Sequence, residues 1–481
     1  MRLDTTSFLH ALRAIVGEPH VLTAADGDLS AYLNDWRKRA VGQALAVVRP
    51  SDTQQVSDVV RLCAAHRVAI VPQGGNTGLV VGSVPDASGT QVLLSLTRMR
   101  AIRAIDAANL TMTVDAGCVL QQVQMAAADA GFYFPLSLAA QGSCTIGGNL
   151  ATNAGGTQVL RFGNTRDLCL GLEAVTANGD IWHGLSGLRK DNTGYDLKHL
   201  LIGSEGSLAV ITAATLKLYP QPASKCVAWV AQPSLEAGVA LLNLARARLG
   251  DGLTGFEVMG QFALELVGQH FPDKAVPMLG SAPYYTLVEF SSTTAYEAAS
   301  ETLALALGEA FEQDIASDAV VAQNMSQAQQ LWAIREHIPL AQSAEGLNIK
   351  HDIAVPISRI AAFVAHTDQL LQDALPGVRL VNFGHLGDGN LHYNVQAPAG
   401  TDGPAFLRDH ETRVNTIVFD SVRAHDGSIS AEHGIGKLKA HTLPHYKDAT
   451  AMAMMKAIKH SLDPLGILNP GSVLAHDADV A

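Results

Sequence analysis

Two histidines bracket a tight polar turn in the stretch Asn382-Phe-Gly-His385-Leu-Gly-Asp-Gly-Asn-Leu-His392-Tyr-Asn394. Apolar, strand-like residues lie on both sides of the Gly-Asp-Gly-Asn core, so the segment predicts a hairpin that sets His385 and His392 on neighbouring strands. Further along, Ser428-Ile-Ser-Ala-Glu432-His433-Gly434-Ile-Gly436 places a carboxylate beside a third imidazole in a glycine-rich loop. Two His and one Glu make a divalent-metal set with a position left for a substrate oxygen, and zinc is the ion expected for such donors. His433 is then left to move protons. The competing reading is a group of histidines satisfied in a core or on a surface. It suits a lone His better than this cluster. The same three donors would also activate water in a hydrolase, so they do not decide the reaction alone.

The elements that must position these groups have ample chain to draw on. With 481 residues, 48% hydrophobic and 16% charged, the chain is long enough for two or three domains with large cores and is not disordered. A net charge of −12 argues against a nucleic-acid partner. Cys63, Cys118, Cys144, Cys169 and Cys226 are scattered, odd in number and without a Cys-x-x-Cys pair. They read as buried free thiols of a reducing compartment. The N-terminus has no basic segment followed by an apolar run and a cleavage site, and no stretch is long and apolar enough to span a membrane. A cytoplasmic protein is expected, with room for loose peripheral attachment to a membrane, and a homodimer is allowed.

Up to Pro220 the pattern is short strands, few helices and many glycines, which predicts an α+β domain. Helices are expected over 8–17, from the Asp52 cap to about Ala65, and over Val119–Ala130. Strands are expected at Ala44–Pro50, Val68–Pro72, Gln91–Leu96 and Leu110–Asp115. The composition breaks at Tyr219-Pro-Gln-Pro222, where a linker is expected. Beyond it, strand-like Val227–Val230, helical Leu235–Leu249, strand-like Tyr284–Phe290 and helical Ala295–Phe311 form two β-α-β-like units. They predict a ferredoxin-like sheet with helices on one face. Helices over Phe406–His425 and Ala449–Leu462 complete the chain. The expected organisation is 1–220, 221–425 with the hairpin, and a C-terminal segment 426–481.

Two glycine-rich segments remain. Pro72-Gln-Gly-Gly-Asn-Thr-Gly78 follows a strand, and Gln141-Gly-Ser-Cys-Thr-Ile-Gly147-Gly148-Asn149-Leu-Ala-Thr152-Asn153-Ala-Gly155-Gly156 is longer. Such loops present backbone N–H groups to phosphate oxygens, because missing side chains permit close approach. Neither has the Gly-x-Gly-x-x-Gly spacing of a Rossmann turn or the Lys of a P-loop, and each alone is compatible with a plain turn-rich loop.

Together with Lys190-Asp-Asn-Thr-Gly-Tyr-Asp196-Leu and Ile202-Gly-Ser-Glu-Gly-Ser-Leu208, these loops resemble the FAD domain of the vanillyl-alcohol oxidase type. The hairpin and Glu432-His433 resemble the FAD-linked D-2-hydroxyacid dehydrogenases, a group that includes D-lactate and D-2-hydroxyglutarate dehydrogenases. The resemblance covers nearly the whole chain. It implies FAD along Gln73, Gly74, Gly75, Asn76, Thr77 and Gly78, then Gly142, Ser143, Gly147, Gly148, Asn149, Thr152, Asn153 and Gly156. Backbone near Glu205, Gly206 and Ile211 is implied at the adenosine end, and Asn469 in a C-terminal return to the flavin. The first loop offers no His, which implies non-covalent FAD. Ser472 stands where relatives often have Lys.

The implied chemistry is oxidation of a D-2-hydroxy acid to the 2-oxo acid, the flavin supplying the hydride acceptor. His385, His392 and Glu432 are implied as metal ligands and His433 as the base. Arg335 and Lys350 are implied to meet substrate carboxylate, and Asn394 to contact substrate. Read alone, Arg335 is a helix-surface ion pair with Glu336 or another acid, and Lys350 a solvated strand-end charge. His337 and His351 are expected to be structural or at the rim, and Asp388 and Asn390 to form the turn. Pro339 stands four residues after the Arg, where members acting on 2-hydroxyglutarate often have Thr, so D-lactate or a longer D-2-hydroxy acid stays open. The electron acceptor is expected to be a quinone, an electron-transfer flavoprotein or another carrier, not NAD. An oxidase using dioxygen and a non-catalytic flavin-binding subunit are the alternatives.

Overall fold

A computed structural model of the protein describes residues 3–475. The chain divides into two compact units, Met1–Gly155 with Gly163–Gln221 and Glu432–Ala481, and Gly156–Phe162 with Pro222–Ala431. The first unit therefore lends seven residues to the second, and the return to it begins at Glu432, six residues beyond the boundary expected at 426. Within Tyr219-Pro-Gln-Pro222, Tyr219–Pro220 is a short strand paired with Phe132–Tyr133.

In the first unit, parallel strands Ala46–Val48, Val92–Ser95 and Ile70–Gln73 form a small sheet, with Val21–Leu22 antiparallel at its edge. A second, antiparallel sheet runs in the order Ile102–Asp106, Thr111–Asp115, Ala209–Lys217, Cys169–Thr176 and Ile181–Gly184. The helix Thr53–His66 starts where expected: the Asp52 carboxylate accepts the Gln55 N–H at 2.9 Å, satisfying a donor that a helix start leaves orphaned. Its buried face, Val56, Val59, Val60 and Cys63, joins Val48, Ile70 and Leu94 in one core. All five cysteines are buried free thiols.

The C-terminal return is pinned to the parallel sheet. Ile70 donates to the Ile467 carbonyl at 2.7 Å and accepts from Asn469 N–H at 2.8 Å. The buried Asp463 carboxylate takes the N–H groups of Ile467 and Leu468, at 3.1 and 2.8 Å, and the Lys459 ammonium at 2.6 Å. One carboxylate thus ends the helix Ala449–Leu462 and sets the register in which Asn469 arrives.

In the second unit, the strands Asp318–Val321, Ser224–Gln232, Tyr284–Ser292 and Leu253–Gly260 lie in that order. Numbered along the chain this is 4-1-3-2, the ferredoxin-like arrangement. The sheet then continues through the hairpin strands Arg379–His385 and Asn390–Gln396. The expected helices on one face need correcting, because both faces are covered. Val227, Trp229, Ala231 and Leu287 pack with Leu331, Ile334 and Ile338 of the helix Met325–Glu345. Val288, the next residue along the strand and so on the opposite face, lines a small apolar cavity with Leu241 and Leu303 of the helices Leu235–Leu249 and Tyr296–Glu312. The apolar run Val227-Ala-Trp-Val gives the reason, since a strand buried on both faces does not alternate.

The Asp463 clasp yields a test. Asp463→Ala leaves the amides of Ile467 and Leu468 without their acceptor and takes the carboxylate from the half-buried Lys459, which keeps the Ser207 and Leu468 carbonyls, and a loss of about 1–3 kcal/mol in denaturant unfolding is expected. Faster hydrogen exchange at Ile467–Asn469 is expected with it. An unchanged midpoint and unchanged exchange would contradict this reading of the C-terminal return.

Candidate active site

The imidazole pair belongs to the second unit. The hairpin closes through Leu386–Gly389: Asp388 N–H donates to the His385 carbonyl at 3.2 Å, and the Asp388 carboxylate accepts Asn390 N–H at 3.0 Å. Phe383 pairs with His392 across the hairpin, and the two imidazoles meet edge to face with centroids 5.6 Å apart. Gly384, between Phe383 and His385, has φ +155°, and a Cβ there would lie 2.5 Å from the Asn390 carbonyl oxygen. Only glycine lets the strand turn His385 inward at this point. Asn390 does more than form the turn. It is buried, and its amide donates to the Asp352 carboxylate and the Ile353 carbonyl, both at 2.9 Å. Asp352 is thereby held 4.0 Å from His392 Nδ1.

Sequence reasoning missed the residue that organises this cluster. Glu257, 1% exposed, lies on the central strand directly opposite His385. His385 Nδ1 is 2.6 Å from one carboxylate oxygen, and Arg335 Nε donates to the other at 2.8 Å. Burial would push this carboxyl up, but His385 and Arg335 override it and hold the pKa at about 2. The Arg335 guanidinium also stacks over Phe383, 4.9 Å from its centroid. Arg335 is 7% exposed, so the surface ion pair with Glu336 is not what forms. A Glu flanked by apolar residues in Phe256-Glu257-Val258 is the signal that was available, since a buried acid needs partners.

The other expected residues are distributed less tightly. Asn394 is buried, donates to Gln342 Oε1 at 2.9 Å and accepts His351 N–H at 3.1 Å. Lys350 is exposed, between the strands Asn348–Ile349 and Asp352–Ala354. His351 is buried against the Tyr393 carbonyl and Asn415, at 2.8 and 2.9 Å, and half-buried His337 bonds the Ala333 carbonyl. The second unit ends at Ala431, whose N–H donates to the Asp352 carbonyl at 3.3 Å.

In the first unit the two glycine loops abut. A Cβ on Gly74 would lie 2.2 Å from Thr145 Oγ1, and one on Gly75 would lie 2.0 Å from the Ser143 carbonyl oxygen. Several side chains expected at the flavin brace these loops. Gln73 donates to the Tyr32 and Ser83 carbonyls at 2.9 Å, and Asn76 to the Ala31 and Asn34 carbonyls at 3.1 and 2.8 Å. Thr152 donates to the Gly148 carbonyl at 3.1 Å, Asn149 to Cys144 Sγ at 3.6 Å, and Asn153 accepts Arg166 N–H at 3.0 Å. Thr77, Gly78, Gly142 and Ser143 lie partly or fully exposed along the same rim. Ile211 sits at a bulge in its strand, and Gly156 belongs to the segment lent to the second unit.

Glu205, expected to contribute backbone, is buried and uses its side chain. Its two oxygens accept the N–H groups of Ile435 and Gly436, each at 2.8 Å, and the Ser472 hydroxyl donates to it at 3.3 Å. The turn that follows Glu432 and half-buried His433 is thus tied to one carboxylate. Burial raises the Glu205 pKa, and the two amides only partly offset it. Asn469 donates to the carbonyls of Gly82 and Glu205, both at 2.8 Å, which fixes its amide and leaves its buried Oδ1 without a partner among the described residues. An orphaned acceptor beside two glycine loops fits a ligand that carries N–H or O–H donors, as FAD does.

Two tests follow. Gly75→Ala must displace the second loop, so flavin content is expected to fall and stability to drop by about 1–3 kcal/mol; a fully yellow, equally stable variant would contradict the packing. Because the folded pKa of Glu205 is raised, its contribution is complete below the ordinary 4.5 and is lost as pH rises through the folded value. Glu205→Gln is expected to remove that loss, so its stability relative to the native protein should improve from acid to neutral pH. Parallel pH profiles of unfolding would contradict it.

Residues 44–184 match the family model described as FAD binding domain, and 221–473 match the C-terminal domain of FAD linked oxidases. The chain is 41% identical over 459 residues to the D-2-hydroxyglutarate dehydrogenase of Xanthomonas citri pv. viticola, covering 95% of each chain. It is 37% identical over 470 residues to that of Stutzerimonas stutzeri, covering 98% of this chain and 99% of the other. It is 38% identical to the mitochondrial D-2-hydroxyglutarate dehydrogenase of Arabidopsis thaliana, covering 96% and 81%. Among solved structures, p-cresol methylhydroxylase with substrate bound superposes with TM-score 0.77 at 16% identity, covering 98% and 97%. The 4-ethylphenol oxidase of Gulosibacter chungangensis gives 0.74 at 15% identity, covering 100% and 99%. These structures establish the vanillyl-alcohol oxidase-type fold, and the full-length sequence identities establish that the chain belongs to the FAD-linked D-2-hydroxyacid dehydrogenase family and is an enzyme.

Proposed function

We propose that the chain oxidises D-2-hydroxyglutarate to the 2-oxo acid with FAD and one divalent metal, and passes the electrons to a quinone, an electron-transfer flavoprotein or another carrier, not to NAD. The observation that supports this most is the convergence of two imidazoles and a buried guanidinium on Glu257 and Phe383. It occurs in a chain whose full-length relatives bear that name. Bound FAD would supply the hydride acceptor. The first-unit loops around Gly74, Gly75 and Gly148, with the Asn469 acceptor, would hold it non-covalently.

His385, His392 and Glu432 would hold the metal, zinc being the ion that two imidazoles and one carboxylate suit, and the ion would lower the charge cost of ionising the substrate hydroxyl. An imidazole nitrogen of His433 would take the hydroxyl proton. Arg335, with Nε spent on Glu257, keeps its outer nitrogens for a carboxylate, and Lys350 adds a second cation. Asn394 would steady the substrate from the strand that carries His392. Pro339 supports a second substrate, D-lactate: it lies inside the helix Met325–Glu345, four residues after Arg335, and has no N–H or hydroxyl to offer a distal carboxylate. Among the described residues no helix is long and apolar enough to cross a membrane.

Chelation is expected to abolish turnover while the protein stays yellow, because the two cofactors use different residues. Full activity in metal-free protein would overturn the metal's role. Glu432→Ala should lower metal content as well as rate. His433→Ala should keep metal and flavin but slow anaerobic flavin reduction by roughly 10²–10⁴-fold, the usual worth of a positioned base. Metal lost from His433→Ala and kept by Glu432→Ala would reverse the two assignments.

A further inference from the structure

The carboxylate between His385 and Arg335 has no place in the roles above, yet it touches the first metal donor and the substrate cation at once. Glu257 has two oxygens, and each is committed to a different partner, His385 Nδ1 at 2.6 Å and Arg335 Nε at 2.8 Å. Backbone pairing fixes the first contact, because Glu257 stands opposite His385 in the sheet. Helix packing fixes the second, since Arg335 lies one turn from the core residues Leu331 and Ile338. Phe383 closes the set, with Arg335 stacked on its ring and His392 tilted against it at 4.8 Å.

We propose that Glu257 is a positioning residue that couples metal binding to substrate binding. A carboxylate accepting at His385 Nδ1 keeps the proton on that nitrogen, and the Nε2 lone pair is then the one offered to a metal. The same carboxylate, accepting at Arg335 Nε, rotates the guanidinium so that its outer nitrogens face away from Glu257 and toward an incoming carboxylate. This deepens the proposed function and rests on His385 being a ligand.

Glu257→Gln changes the shape little but replaces one acceptor with an N–H₂ donor. Facing His385, that donor drives the proton to Nε2 and removes the lone pair; facing Arg335, it repels Nε–H. Zinc affinity, measured on the flavin-loaded protein by competition with a chromophoric chelator, is expected to weaken by roughly 10–100-fold. KM for D-2-hydroxyglutarate at saturating zinc is expected to rise, with flavin content unchanged. Nitrogen NMR of the zinc-loaded native protein, with labelled histidine, adds a readout that needs no variant: His385 should carry its proton on Nδ1. Native zinc affinity in Glu257→Gln, or a proton on Nε2 in the native protein, would overturn the proposal. His385→Ala and His392→Ala separate the two levels. If both keep native zinc affinity, the metal assignment itself fails; if they lose zinc while Glu257→Gln does not, only the role of Glu257 fails.

Discussion

A carboxylate with 1% exposure cannot remain ionised in a sheet without partners, and the second unit is arranged around giving Glu257 two of them. The strand order puts the hairpin beside the central strand, so His385 arrives across the ladder. The helix Met325–Glu345 covers that same face and brings Arg335. Either partner alone would leave a buried charge half-compensated. Both together hold the group well below the ordinary carboxylate range against the pull of burial. The arrangement that solves this folding problem also orients an imidazole and a guanidinium, the two groups that hydroxy-acid chemistry asks for.

The first unit positions its groups by a different means. Its glycine loops are set by what would collide if a side chain were present, at Gly74 and Gly75 above all. The amides of Gln73 and Asn76 tie the first loop to the carbonyls of Tyr32, Ser83, Ala31 and Asn34. Glu205 repeats the logic of Glu257 with backbone donors, clasping Ile435 and Gly436 and so the turn after His433. The Ser472 hydroxyl adds a weaker side-chain contact, and burial still shifts the carboxyl upward.

Legibility from sequence followed locality. The hairpin, the Asp52 cap and the helix Leu235–Leu249 were readable because each depends on neighbours in the chain. The ferredoxin-like order was readable from the rhythm of strands and helices. The second helical layer was not, because a run such as Val227-Ala-Trp-Val does not say what covers it. Site residues were named through glycine spacing and family resemblance, which identify positions but not how side chains are spent. Gln73 and Asn76 proved to be braces, and Asn394 proved to be engaged with Gln342 and His351. Glu257 and Asp352 escaped notice because their partners lie 128 and 38 residues away along the chain.

The central claim is that a D-2-hydroxy acid delivers its electrons to flavin held by this chain. Anaerobic mixing of the purified, zinc-loaded protein with D- or L-2-hydroxyglutarate, followed by the visible absorbance of the flavin, tests it in one experiment. Rapid bleaching by the D-enantiomer, with the L-enantiomer far slower and no nicotinamide present, is the predicted result. A flavin that stays oxidised with D-2-hydroxyglutarate and with D-lactate, or one bleached faster by the L-enantiomer, would contradict the account.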